Sequence, residues 1–186
     1  MAKRLSLAVT SLLSLVGLAA CTNSGAVRSG DPVPSYDPST GKLVRLEADL
    51  NHNGKPDSWT YMDGVIPLRT EQDLNEDGKI DRWEYVNPEA KLTKVLIAPS
   101  GDPKRITRWE TYNLGVLELV EEDTNGDGQP DHWEKHHGVP ILSAEFDTNF
   151  DGAPDRRLTF RLDGKVLLIE TDPDGRGGYR KSTRPQ

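Results

Sequence analysis

One cysteine among 186 residues leaves no partner for an internal disulfide. Histidine is also scarce, with four residues and no Cys/His spacing of the kind that holds zinc. Beyond residue 20 no apolar run approaches the length of a membrane-spanning helix, and the run at 5–20 is itself too short. Basic residues are outnumbered 23 to 30 by acidic ones, which argues against nucleic acid as a partner. Catalytic patterns are missing too: there is no nucleophile with an adjacent base and no glycine loop built to cradle phosphate. The chain is therefore not expected to be an enzyme.

What is present begins with an export segment. Lys3 and Arg4 precede an uncharged apolar stretch that ends on small residues, so residues 1–20 read as a cleaved signal. The segment Leu18-Ala19-Ala20-Cys21 resembles the bacterial lipobox. That resemblance implies lipidation of Cys21, anchorage to a membrane, and residues 21–35 as a flexible tether rich in Ser, Gly and Pro. Thr22, where retained inner-membrane lipoproteins carry Asp, is similar to the outer-membrane class. Removing Lys3 and Arg4 leaves 21 basic against 30 acidic residues, a net charge of −9 on 166 residues.

Those acidic groups recur in register. Residues 49–57, 73–81, 123–131 and 147–155 each place Asp first, Asn third, Asp or Asn fifth, Gly sixth and Asp ninth. Trp follows two places later in three of them and Arg157 in the fourth. A fifth segment, 99–107, keeps the place and the Trp but carries Lys104 and Arg105 instead of oxygen ligands, so it is expected to bind no metal. A truncated sixth begins at Asp172. A period of about 24 residues is that of a repeat array.

Between these loops the chain alternates as half-buried strands do, with turn signals at Asp63-Gly64, Asn87-Pro88, Leu114-Gly115, His137-Gly138 and Asp163-Gly164. The expected fold is all-β: antiparallel hairpins over 36–175, followed by a flexible basic tail at 176–186. Glu47, Glu71, Glu121, Glu145 and Glu170 stand two places before a loop, and Arg82, Arg108 and Arg156 at the tenth loop position. A cross-strand Glu–Arg ladder between these two sets is expected. The aromatic residues Trp59, Tyr61, Trp83, Tyr85, Trp109 and Trp133 are expected to pack along the sheet, or to offer a strip to a glycan or peptide. His132, His136 and His137 are a minor candidate for a transition metal.

The loop chemistry points to Ca²⁺, a hard ion that takes six to eight oxygens. The candidate ligands of the first loop are Asp49, Asn51, Asn53, the Lys55 carbonyl and Asp57. The second offers Asp73, Asn75, Asp77, Lys79, Asp81 and Glu84. The third offers Asp123, Asn125, Asp127, Gln129, Asp131 and Glu134, and the fourth Asp147, Asn149, Asp151, Ala153 and Asp155. Residues 73–84 resemble an EF-hand loop throughout, whereas the loops at 49 and 147 are similar to the shorter calcium loops of thrombospondin type 3 repeats and integrin-type propellers. No flanking EF-hand helices fit, because Gly64 and Pro67 interrupt the short connection. With only two carboxylates, the loop at 49 is expected to bind most weakly. Two uses of calcium are anticipated. One is a structural ion in an envelope protein that binds a protein or polysaccharide partner; the other is a calcium-responsive adhesion or sensing module.

Overall fold

The computed structural model describes residues 31–185. The export segment, Cys21 and most of the tether lie outside the described residues. Thirteen strands follow one another: β1 Val33–Tyr36, β2 Leu43–Ala48, β3 Ser58–Asp63, β4 Ile66–Gln72, β5 Arg82–Val86, β6 Leu92–Ile97 and β7 Arg108–Asn113. They continue as β8 Val116–Glu122, β9 His132–His136, β10 Ile141–Phe146, β11 Arg156–Phe160, β12 Val166–Pro173 and β13 Tyr179–Thr183. All are antiparallel and lie in one sheet in chain order, with β1 and β13 as its two open edges. The fold is the expected array of hairpins, laid out as an open meander.

Two boundaries differ from the sequence reading. Val33–Tyr36, partly inside the expected tether, pairs with β2, and Tyr179–Thr183, inside the expected flexible tail, pairs with β12 as the final strand. Arg180 and Lys181 there meet Asp172 at 3.2 and 3.3 Å, so the basic residues that suggest a solvated tail are what fasten it.

The connections fall into two sets. Tight turns join the strands of each hairpin at one end of the sheet, and the acidic loops join successive hairpins at the other. The six hairpins from β1–β2 to β11–β12 each carry a register shift near the tip, for example between Tyr61 and Met62 and between Thr111 and Tyr112. The pairs across the acidic loops run without one. Such bulges increase local twist. The tips are also tied backwards: the amides of Gly64, Gly115 and Gly138 donate to Leu43, Leu92 and Leu117, each on the strand before its own hairpin.

Strand alternation makes two chemically distinct faces. One row on the first face reads Glu47, Trp59, Glu71, Trp83, Leu96, Trp109, Glu121, Trp133, Glu145, Arg157 and Glu170 across successive strands. Glu47, Glu71, Glu121 and Glu145 therefore face Trp across the sheet and Glu170 faces Arg157, and none of them faces the tenth-position Arg. Arg82, Arg108 and Arg156 project to the opposite face, so the expected ladder does not form between those sets. A cross-strand Glu–Arg contact forms on this face where Arg157 replaces Trp and donates to Glu170 at 2.7 and 3.0 Å with Glu145 at 3.5 Å, and on the opposite face between Arg108 and Glu122. The four Trp are half-buried among these charged stems, and Arg69 stacks 3.8 Å over Tyr61.

The second face holds what core there is. Val95, Val120 and Ala144 are shielded almost completely, although no second layer covers the sheet among the described residues. Val95 lies opposite Glu84 and Glu110, and Val120 opposite Glu110 and Glu134. Arg82 and Arg108 each donate to a Glu two places on at 2.8 Å, holding the long stems over the valines. Burial opposes ionisation of Glu110, yet hydrogen bonds from Tyr112 and Arg108 outweigh it and keep the carboxyl below its usual range. Val120→Ala should lower the unfolding free energy by about 2 kcal/mol. Val65→Ala, at a side chain 80% exposed, should change it by less than about 0.5 kcal/mol. Denaturant titration of both variants checks this.

Candidate metal-binding loops

The four acidic loops close by one repeated hydrogen-bond scheme. The ninth-position carboxylate accepts from the amides near the loop start: Asp57 from Leu50 and Asn51, Asp81 from Leu74 and Asn75, Asp131 from Thr124 and Asn125, and Asp155 from Thr148. The first-position carboxylate accepts from the sixth-position glycine amide, at 2.7 Å for Asp49 and Asp147, 2.9 Å for Asp73 and 2.8 Å for Asp123. The third-position oxygens of Asn51, Asn75, Asn125 and Asn149 accept from the fifth-position amides. Those of Asn53, Asp77, Asp127 and Asp151 accept from the seventh-position amides of Lys55, Lys79, Gln129 and Ala153.

Backbone conformation repeats with equal fidelity. The sixth-position glycines have φ between 86° and 91°, where an L side chain is strained. At the fourth position His52, Glu76 and Phe150 adopt φ near 60° despite their side chains, and Gly126 stands in the third loop at 80°. The loops thus bring positions 1, 3, 5 and 9 onto one short arc. Each carboxylate has about four lone-pair directions, and the amide bonds use only some of them.

A cation fits this donor set best at the second loop. Asp73 is 7% exposed, and its Oδ1 is buried without any hydrogen-bond partner. A buried anionic oxygen left without a donor costs about 1–3 kcal/mol or more, a cost that a bound cation removes. The neighbouring Asp81 responds to the same crowding. Burial raises its pKa first, the amides of Leu74 and Asn75 counter it, and the charges of Asp73 and Asp77 push it further up. Among the described residues no three His, Cys, Asp or Glu side chains already converge as an ion cage. Most of the loop oxygens accept from backbone amides.

The twelfth-position glutamates stand elsewhere. Glu84 is on β5, with its carboxylate 2.8 Å from Arg82 Nε, and Glu134 is on β9 beside His132 and His136. Three residues of extended chain beyond the ninth position span about 10 Å, so neither is gathered with its loop. The EF-hand likeness ends at the ninth position because a strand, not a helix, leaves the loop.

The fifth segment is shifted by one residue from the sequence reading. The Ala98 amide donates to Asp81 O at 2.8 Å, as the Asp73 amide does to Asp57 O at 2.9 Å. Thr107 in turn bonds Ile97 and Asp123 as a ninth residue would. Ala98, not Pro99, therefore takes the first place, and the loop holds one extra residue. Alanine there supplies no carboxylate, and it is fully buried. The truncated sixth segment is a tight turn, with Asp174 Oδ1 accepting from the amides of Arg176 and Gly178.

At the neck of the third loop, Glu122 accepts from His132 Nδ1 at 3.0 Å and pairs with Arg108. His132 and His136 lie on one face of β9 with Glu134 between them, while His137 is beyond the strand. His132 also stacks on Phe146, with ring centroids 4.5 Å apart.

No family model and no curated protein matches the chain. A pneumococcal structure titled accessory secretory protein 1, 2 and 3 in Streptococcus pneumoniae aligns over 80% of this chain at 13% identity. The TM-score is 0.19, too low to carry an argument, and the chain spans 20% of the length of that structure.

The hydrogen bond from His132 holds the Glu122 carboxyl at about 2; burial opposes this and Arg108 adds to it. Because this lies below the ordinary value of 4.5, the stability Glu122 contributes is complete above about pH 4.5 and lost as pH falls towards 2. Glu122→Gln should therefore flatten this part of the acid dependence, measured as urea midpoints from neutral pH downward.

Proposed function

We propose that this chain is a calcium-binding, lipid-anchored protein of the bacterial cell envelope without catalytic activity. In this reading Ca²⁺ ions in four loops stiffen a hairpin sheet that presents a binding surface to a protein or envelope polysaccharide. The buried, partnerless oxygen of Asp73 carries the reading. The shared φ angles and amide bonds of four loops support extending it from one loop to the set.

The donor chemistry favours calcium over its competitors. The side chains at positions 1, 3, 5 and 9 all offer hard oxygen, with neither sulfur nor imidazole at a ligand position. Magnesium requires a small octahedron with retained waters, which a flexible nine-residue oxygen loop suits poorly. Four Ca²⁺ would bring +8 against the −9 of the chain after Cys21 becomes its first residue. Metal binding and rigidity are linked in this reading, since each ion removes repulsion that the sheet otherwise carries. The lipid anchor at Cys21 and an outer-membrane location rest on the lipobox resemblance and on Thr22.

Calcium added to chelator-treated full-length chain should raise the thermal midpoint and change Trp fluorescence. At a hundredfold excess over Kd each site contributes about 2.7 kcal/mol. Asp73→Asn should reduce both effects while leaving the β signal intact in circular dichroism. An unchanged midpoint and spectrum at millimolar calcium, with no bound metal, would rule the reading out.

A further inference from the structure

The four loops are not equivalent in charge. Those starting at Asp73, Asp123 and Asp147 each hold three carboxylates at positions 1, 5 and 9, whereas the loop at 49 holds only Asp49 and Asp57. Its third and fifth positions are the amides Asn51 and Asn53. The structure brings a third carboxylate to these two residues from outside the loop. Glu76, at the fourth position of the next loop, accepts from Asn51 Nδ2 at 2.9 Å and from Asn53 Nδ2 at 2.7 Å.

We infer that Glu76 is a calcium ligand of the loop at 49, supplied by its neighbour, so that the loops at 49 and 73 form one coupled two-ion unit. This rests on the calcium reading above. The buried, unpartnered Asp73 Oδ1 that carries that reading lies in the loop that supplies Glu76, three residues from it. With Glu76 counted, each of the four loops commands three carboxylates.

The placement follows from the repeat. Successive loops leave the same end of the sheet two strands apart, about 9.6 Å. A fourth-position side chain at φ near 60° therefore lies towards the preceding loop. Phe150 repeats the arrangement, lining a cleft with Asn125 and Asp127 of the preceding loop. There the recipient already has Asp127, and the incoming group is a phenyl ring that ligates nothing. The carboxylate arrives only where the recipient lacks one. Glu76 is otherwise a costly choice: it is exposed and holds a positive φ that asparagine or glycine would adopt more readily. Ligation gives that cost a purpose. It also removes the shortage of carboxylates for which the first loop is expected to bind most weakly.

The test is a site-resolved CaCl₂ titration of the full chain after chelation, following the amide resonances of Gly54, Gly78, Gly128 and Gly152 by NMR. Glu76→Gln keeps the side-chain length and removes the charge. It should weaken the calcium response of Gly54 by about tenfold or more, since charge count tunes such sites, and leave Gly128 and Gly152 unchanged. Asn53→Asp, added to Glu76→Gln, should restore the Gly54 response by returning a third carboxylate from within the loop. If Gly54 responds identically in wild type and Glu76→Gln, or only Gly78 is weakened, Glu76 is not a ligand of the first loop and the calcium reading stands without it. If no glycine amide responds to calcium in the wild type, the calcium reading fails and this inference fails with it.

Discussion

Two aspartates per loop close every acidic connection between hairpins, and the rest of the sheet depends on that closure. The ninth-position carboxylate gathers the amides that begin the loop, and the first-position carboxylate gathers the amide of the glycine that turns it. These amides would otherwise be unpaired at the end of a strand, where no neighbouring backbone reaches them. Because the two strands that follow a loop enter in a defined register, the carboxylates also decide which residues share a face. A single-residue slip would exchange Trp59 and Ser58 between faces. The same oxygens thus carry the alignment of the strands and the affinity proposed for calcium.

This dependence is heavier than usual because the sheet has no second layer among its described residues. Domains commonly bury one face of a sheet against another element. Here Val95 and Val120 are shielded by the stems of glutamates that arginines hold in place, and the Trp row is flanked by glutamates. Ion pairs in such half-exposed settings are individually weak, so their value lies in packing the stems over apolar groups. The tip glycines that bond back to the preceding strand add a second set of ties at the end away from the acidic loops.

Much of this is legible in the sequence. Alternating strands, Asp-Gly turns and four loops in register lead to an all-β hairpin array, and the structure has that architecture. The residues that mislead do so for physical reasons. Spacing along the chain matches Arg82, Arg108 and Arg156 to glutamates, but which face a residue takes depends on strand register, which adjacent spacing does not reveal. Counting back from Trp109 places the start of the fifth segment at Pro99, and an inserted residue moves the first place to Ala98. The tail looks solvated because Arg180 and Lys181 are basic, yet Asp172 lies within reach across the last turn. Glu84 and Glu134 match a twelfth-position ligand only on the assumption that the chain curls onward as a helix; it extends. Glu76 carries no signal at all, since its significance comes from Asn51 in the neighbouring loop, 25 residues earlier in the chain.

The unbroken chain order of the strands has its own consequence. Among the described residues each strand is hydrogen-bonded to those before and after it, so the pairings that define the fold have short sequence separation. Low contact order of this kind favours rapid assembly by local closure. It also makes the domain a ruler with interchangeable divisions: because neither edge strand is needed by the other, one hairpin with its loop can be gained or lost by duplication without opening a hole. The segment at 98–107 is such a division, one that has Ala98 in place of the first-position carboxylate and yet holds the same place in the sheet.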